Sequence, residues 1–274
     1  LFVLRQAEIE ANEWERHGYD LDYLWSEERL KKLQGIIDGL GHEPVNHVVR
    51  LYSSPQTKLI ERLENNALSH MDRLKIGEYL AELGDPRNGV GLRADGLPDI
   101  KWIEIPGGEA KLERVDHVFI VKPFRIAKYP VTNAQFDAFL NADDGYRNEE
   151  WWMDIDQSED AITPSWQEVN APRETVSWFE AVAFCQWLSY RLKSMVRLPA
   201  EWEWQQAATD GDPRRKYPWE GGWDPARCNS AESGLRQVTP VGMYPQGATH
   251  HGVVDMAGNV WEWCLNTQQK PEEP

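Results

Sequence analysis

The stretch "DMAGNVWEWC", residues 255–264, decides how the rest of the chain is read. It sets Trp261 and Trp263 on either side of Glu262, directly behind a Gly258-Asn259 pair. The chain carries 14 tryptophans, and they gather around Pro and Gly instead of recurring at helical spacing. That distribution suggests a core built from irregular loops, which need large flat side chains to bury them. On this reading Trp261 and Trp263 are loop core.

With 274 residues, the chain has room for one large domain or two modest ones. Its 45 acidic against 29 basic residues leave a formal charge of −16, which repels phosphate backbones and argues against nucleic acid as a partner. No stretch approaches the length of an apolar membrane span, so no membrane role is expected. Three widely separated cysteines, Cys185, Cys228 and Cys264, lack the spacing of a zinc site and point to a reducing, cytoplasmic setting. A start at Leu1 and the closing "TQQKPEEP" read as a piece of a longer protein.

The first hundred residues read as helices. In "WSEERLKKLQGIIDGLG" (25–41), Leu30, Leu33, Ile37 and Leu40 keep a helical rhythm behind Ser26 and a Glu-rich first turn. A second helix follows Ser54-Pro55, and a third starts at Ser69, with Asp72 in the capping position. Short helices in series resemble the last repeats of a helical array. "GDPRNGVGLRADGLPD" (84–99) has the composition of a linker, placing a domain boundary near Pro98: 1–98 helical, 99–274 a second domain. Beyond it the pattern turns to short strands and long loops, with two strands around Pro123 and a helix capped by Thr132 or Asn133. A stronger helix opens with the Ser177-x-x-Glu180 capping box and buries Ala181, Phe184, Cys185, Leu188 and Leu192; a last one covers 201–208. The acidic run over 143–163 reads as a mobile insertion loop.

Six segments occur in a telling order: "PVTNAQFDAFL" (130–140), "VSWFEAVAFCQWLS" (176–189), "RLPAEWEWQQAA" (197–208), "YPWEGGW" (217–223), "TPVGMYPQG" (239–247) and "GVVDMAGNVWEWC" (252–264). From about Ile100 onward the chain thereby resembles the formylglycine-generating-enzyme, or sulfatase-modifying-factor, family. The resemblance implies an α+β fold of the C-type-lectin kind, with a small antiparallel sheet, flanking helices and much ordered loop, here preceded by a helical segment. It also implies structural calcium, a hard cation on which loop carbonyls and carboxylates converge. Asn259, Val260 and Glu262 match one calcium position, and Asn229 and Ser230, with Glu232 nearby, match another.

In catalytic relatives the resemblance implies a copper-binding cysteine pair downstream of the tryptophan-rich motif. Cys264 occupies neither position, so no catalytic residue and no copper site is assigned. A branch using iron held by HxxxHxE implies histidine spacings that His42, His47, His250 and His251 do not provide; these are expected on the surface or in solvated loops. The expected function is a non-catalytic module that recognises a protein or peptide, carried by a larger bacterial signalling or defence protein. Two alternatives stand beside it: a copper-dependent formylglycine-generating oxidase whose catalytic segment lies outside this chain, and a retroelement-diversified ligand-binding protein.

Overall fold

A computed structural model describes residues 2–40, 45–65, 67–113, 115–153, 155–157, 160–212 and 214–266. The chain divides into two compact units, Leu1–Pro86 and Arg87–Pro274. Among the described residues no helix is long and apolar enough to cross a membrane.

The first unit is helical: α1 (Phe2–Arg16), α2 (Glu27–Gly39), α3 (His47–Ser53), α4 (Gln56–Leu63) and α5 (His70–Leu83). Its core gathers Trp14, Leu30, Leu33, Tyr52, Leu59, Ile76 and Leu80. Tyr52 fixes the middle of that core. Its ring meets Trp14 and Trp25 edge-on at 5.5 and 5.6 Å, while its hydroxyl accepts from the Trp25 amide and donates to the Tyr23 carbonyl, both at 3.0 Å. Ser69 caps α5 by accepting from the Asp72 amide, as its position suggests. α1 buries Ala7, Ala11 and Trp14, a stripe of mostly small residues that apolar spacing alone does not mark as a helix.

In the second unit, β1 (Trp102–Ile105) pairs antiparallel with β4 (Phe124–Ala127), and β2 (Gly108–Lys111) with β3 (Val118–Val121). The α+β expectation therefore holds, with two small sheets in place of one. Both strands expected around Pro123 are present. α6 (Asn133–Asn141) is capped reciprocally by Thr132 and Gln135, and α7 (Trp178–Leu192) by Ser177 and Glu180. α8 spans Glu201–Thr209. α6 and α7 share a core of Phe136, Phe139, Tyr146, Phe184, Trp187 and Leu188, and a second core joins Ile105, Ala207, Ala208, Val253 and Met256.

Two sequence readings need correction. Residues 87–99 do not form a linker, because side chains of the second unit consume their backbone groups. Thr132 Oγ1 donates to the Val90 carbonyl at 2.8 Å, and Gln135 Nε2 reaches the carbonyls of Asp99 and Gly89 at 2.6 and 3.1 Å. Gly89, at φ +95°, lies so close to Lys101 that a Cβ would sit 2.6 Å from that side chain. The compact unit therefore extends back to Arg87. Nor is the acidic run a plain insertion loop: a 3₁₀ turn at Glu149–Trp152 buries Trp151 and Trp152 against the α6–α7 core, and the Trp152 indole donates to the Tyr146 carbonyl at 2.8 Å. Asp154 and Glu159 lie outside the described residues.

Candidate functional site

From α8 to Asn266 the chain has little regular structure besides short 3₁₀ turns, so side chains do the work of a ladder. Asn259 is the clearest case. Its Oδ1 accepts from the Thr239 amide at 2.9 Å and from Asn229 Nδ2 at 3.1 Å, and its Nδ2 donates to the Thr239 carbonyl at 3.0 Å. Asn229 Nδ2 also donates to the Gln237 carbonyl at 2.8 Å, and its Oδ1 accepts from the Ser233 hydroxyl at 2.8 Å. The turn that delivers Asn259 is left-handed, with φ +74° at Gly258 and +59° at Asn259. A Cβ on Gly258 would come within 2.3 Å of the Asn229 carbonyl oxygen, so glycine is required there.

This bonding bears on the expected calcium set. The amide oxygens of Asn229 and Asn259 face N–H and O–H donors, which leaves them poorly suited to a cation. Ser230 donates to Glu232 at 2.8 Å on the exposed surface. Asn229 and Asn259 thus close a hydrogen-bonded clasp, Ser230 and Glu232 pair with each other beside it, and Val260 and Glu262 line the groove described next. Glu262 is exposed at the groove, where the Trp204 indole donates to it at 3.2 Å; partial desolvation, followed by the negative charge of Asp255, raises its carboxyl. Burial likewise raises Asp255 to about 6, although the Gly242 amide donates to it at 2.6 Å. Asp255 was missed because its spacing from Glu262 matches no familiar ligand pattern, and its φ of +61° is invisible in sequence.

A groove of about 860 Å³ opens between α7 and the β1–β4 sheet. Phe184, Cys185 and Leu188 line one wall, Phe124 and Ile126 the other, and Val253, Met256, Val260 and Glu262 extend it. Trp261 and Trp263 stand at its edge, fully and 52% exposed, so the reading of both as loop core is wrong. The left-handed turn and the Asn259 clasp explain the error: they hold the backbone so that Trp263 spends its indole on the Val176 carbonyl, at 2.8 Å, while Trp261 faces solvent. Ile120 and Met195 add exposed apolar surface to the same rim.

Charge in the groove is largely paired. Arg197 holds Glu203 through two bonds of 2.6 and 2.7 Å, and the Ala200 amide donates to the same carboxylate at 2.8 Å. Burial opposes ionisation of Glu203, but these bonds outweigh it and keep the carboxyl below its ordinary range. Burial pushes the thiols of Cys185 and Cys264 up to about 12 and raises Cys228 too, so none is poised as a thiolate. His251 is not simply a solvated loop residue, since its Nε2 meets Asp210 at 2.6 Å; His250 is exposed, and His42 lies outside the described residues.

The family profile described as "Sulfatase-modifying factor enzyme 1-like domain" matches residues 96–272. Hercynine oxygenase of Mycolicibacterium thermoresistibile is 35% identical over 174 residues, covering 55% of this chain and 37% of that protein. The bovine (Bos taurus) protein named inactive C-alpha-formylglycine-generating enzyme 2 is 27% identical, covering 64% of this chain and 73% of its own length. Formylglycine-generating enzyme of Streptomyces coelicolor is 29% identical, covering 59% and 67%. The chain spans only about two fifths of the hercynine oxygenases it matches. With well over half of its residues under the profile, the chain belongs to the sulfatase-modifying factor enzyme 1-like domain family.

Proposed function

We propose that the second unit is a recognition module that binds a protein or peptide segment in the groove between α7 and the β1–β4 sheet, within a larger bacterial signalling or defence protein of the cytoplasm. The observation that carries this reading is the groove itself: about 860 Å³, mostly apolar, with Trp261, Trp263, Met195 and Ile120 exposed along its rim. Exposed aromatic side chains beside an apolar trough are the usual anchors of protein interfaces. The relative named as an inactive formylglycine-generating enzyme supports a family fold used without that chemistry. Calcium, on this reading, is structural and bound by oxygens of the 255–262 loop. The test selects peptides from a displayed random library on the full chain and repeats binding with Trp261→Ala. A hot-spot tryptophan costs about 2 kcal/mol when truncated, roughly thirtyfold in affinity; selected peptides that bind the variant unchanged would place recognition elsewhere.

A second reading, catalysis, draws on the names of the relatives, hercynine oxygenase and formylglycine-generating enzyme. Oxygen uptake by the full-length protein with copper or iron and a cysteine-bearing peptide separates the two: turnover would overturn the recognition reading.

A further inference from the structure

We propose that His250 and His251 bind a divalent transition-metal ion of the zinc class, with Asp210 orienting His251 from behind. The site stands apart from the groove and does not depend on the recognition reading. Neighbouring side chains point apart along a strand, but these two do not sit in one. They are the central pair of a turn, in which the Gly252 amide donates to the Thr249 carbonyl at 2.9 Å and Gly252 takes a φ of +88°. Both ends of that turn are pinned. The Thr249 amide donates to the Val253 carbonyl at 2.8 Å, and the Val253 amide returns a bond to Thr249 Oγ1 at 3.2 Å. One residue further on, the Val254 amide donates to the Lys128 carbonyl at 3.0 Å. The turn thus holds two imidazoles side by side, their ring centres 5.3 Å apart and their planes at 72°.

That spacing suits a single ion. Two imidazole nitrogens about 2.0–2.1 Å from a tetrahedral zinc, each about 1 Å in front of its ring centre, set the two centres roughly 5 Å apart. Imidazole is also a ligand that zinc, nickel and copper accept readily. Asp210 decides which nitrogen of His251 is offered. It ends α8 in the left-handed conformation, φ +54°, and its Oδ1 lies 2.6 Å from His251 Nε2. A carboxylate can only accept, so Nε2 carries the proton, and Nδ1 of the neutral ring keeps its lone pair for a metal. Arg215 Nη1 donates to the other oxygen, Oδ2, at 2.8 Å, which fixes the carboxylate in place. His251 is the more enclosed ring, its side chain 18% exposed, whereas His250 is exposed and can turn to bring either nitrogen to the ion. Among the described residues no three His, Cys, Asp or Glu side chains gather to hold a metal. Water therefore completes the coordination, and the ion is exchangeable, held less tightly than in a closed four-ligand site.

The experiment uses the untagged full chain in excess calcium, which fills any oxygen site. Zinc is titrated by calorimetry, and copper(II) serves as a spectroscopic probe. One zinc should bind, and the electron paramagnetic resonance of bound copper should show coupling to two nitrogens. His250→Ala, at an exposed position, should leave the melting temperature without metal unchanged, weaken zinc at least about tenfold and leave coupling to one nitrogen. Asp210→Asn should weaken zinc about tenfold, because an amide no longer dictates the tautomer. Nitrogen NMR separates that positioning role from a merely structural one: His251 should carry its proton on Nε2 in the unmodified protein and lose that preference in Asp210→Asn. Zinc that binds His250→Ala as tightly as the unmodified protein would overturn the assignment, as would binding weaker than about 1 mM. If His250→Ala does not fold, the copper spectrum of the unmodified protein decides, and coupling to fewer than two nitrogens would overturn the pair. None of these failures bears on the groove, which is tested by peptide binding.

Discussion

Replacing Asn259 with alanine tests the clasp directly. The substitution deletes a long bond of 3.4 Å from the Thr239 hydroxyl and three shorter ones, two with the Thr239 peptide group and one from Asn229. At about 1 kcal/mol net each the three shorter ones sum to about 3 kcal/mol. Alanine must also hold the left-handed φ of +59°, which asparagine tolerates better, adding about 1 kcal/mol. The expected loss is about 3–4 kcal/mol in urea denaturation, with faster deuterium exchange at the Thr239 amide. Asn259→Gly sheds the backbone strain and should lose about 1 kcal/mol less than alanine. Asn259→Asp keeps an acceptor but faces the Thr239 carbonyl with a carboxylate, so it should fall near alanine. These losses should be the same in calcium and in chelator. A loss below about 1 kcal/mol for Asn259→Ala, a stabilising aspartate, or a difference that vanishes in chelator would return Asn259 to the role of an ion ligand and refute the clasp.

Four further outcomes follow from the charged groups and thiols. Calcium should raise the melting temperature over chelator, by mass action on the native state, and Asp255→Asn with Glu262→Gln should abolish that difference; equal melts of the unmodified protein would dismiss the ion. In chelator the sign is set by the buried Asp255 carboxyl at about 6, above its unfolded value, so the native state holds a proton that the unfolded state has released. Stability should then decline from about pH 4 to about pH 6 relative to the double variant, and a rise would contradict the shift. For Glu203 the sign is opposite: its lowered carboxyl contributes above the ordinary carboxylate range and loses that contribution as pH falls through the folded value. Arg197 is 41% exposed, so Glu203→Gln should cost only about 1–2 kcal/mol by denaturant titration. All three thiols should resist an aromatic disulfide reagent at pH 8 until the protein is unfolded; rapid labelling of Cys185 would disprove its burial.

What sequence could reveal depended on whether a residue's partner was near in the chain. The caps at Ser69 and Ser177 were legible because donor and acceptor are three residues apart and the geometry follows from helix formation alone. The strands flanking Pro123 were legible for the same kind of reason, since a proline cannot continue a ladder. The supposed linker misled because its glycines and aspartates are as well suited to a tight turn whose carbonyls are claimed by a glutamine forty residues away. Trp261 misled similarly. Hydrophobicity says that a tryptophan prefers burial, but the backbone's left-handed turn, imposed by Asn259 and Gly258, decides which way the side chain points.

The six expected calcium ligands sort by functional group rather than by spacing. A carboxamide carries a donor and an acceptor, so it can replace a missing peptide neighbour, and Asn259 does this for Thr239 by bonding both its N–H and its C=O. Once so used, it has little left to offer a cation. A carboxylate can only accept, and inside a protein it needs an N–H, a cation or a proton. Asp255 takes one N–H from Gly242, and Glu262 takes one from the Trp204 indole at 3.2 Å. Burial raises the Asp255 carboxyl in spite of the bond from Gly242. The same loop therefore holds two devices a few residues apart: amides that close it, and a buried acid whose charge depends on protons. Their separation explains how the loop can keep its shape, with Trp261 on the rim, while the charge on Asp255 still responds to pH.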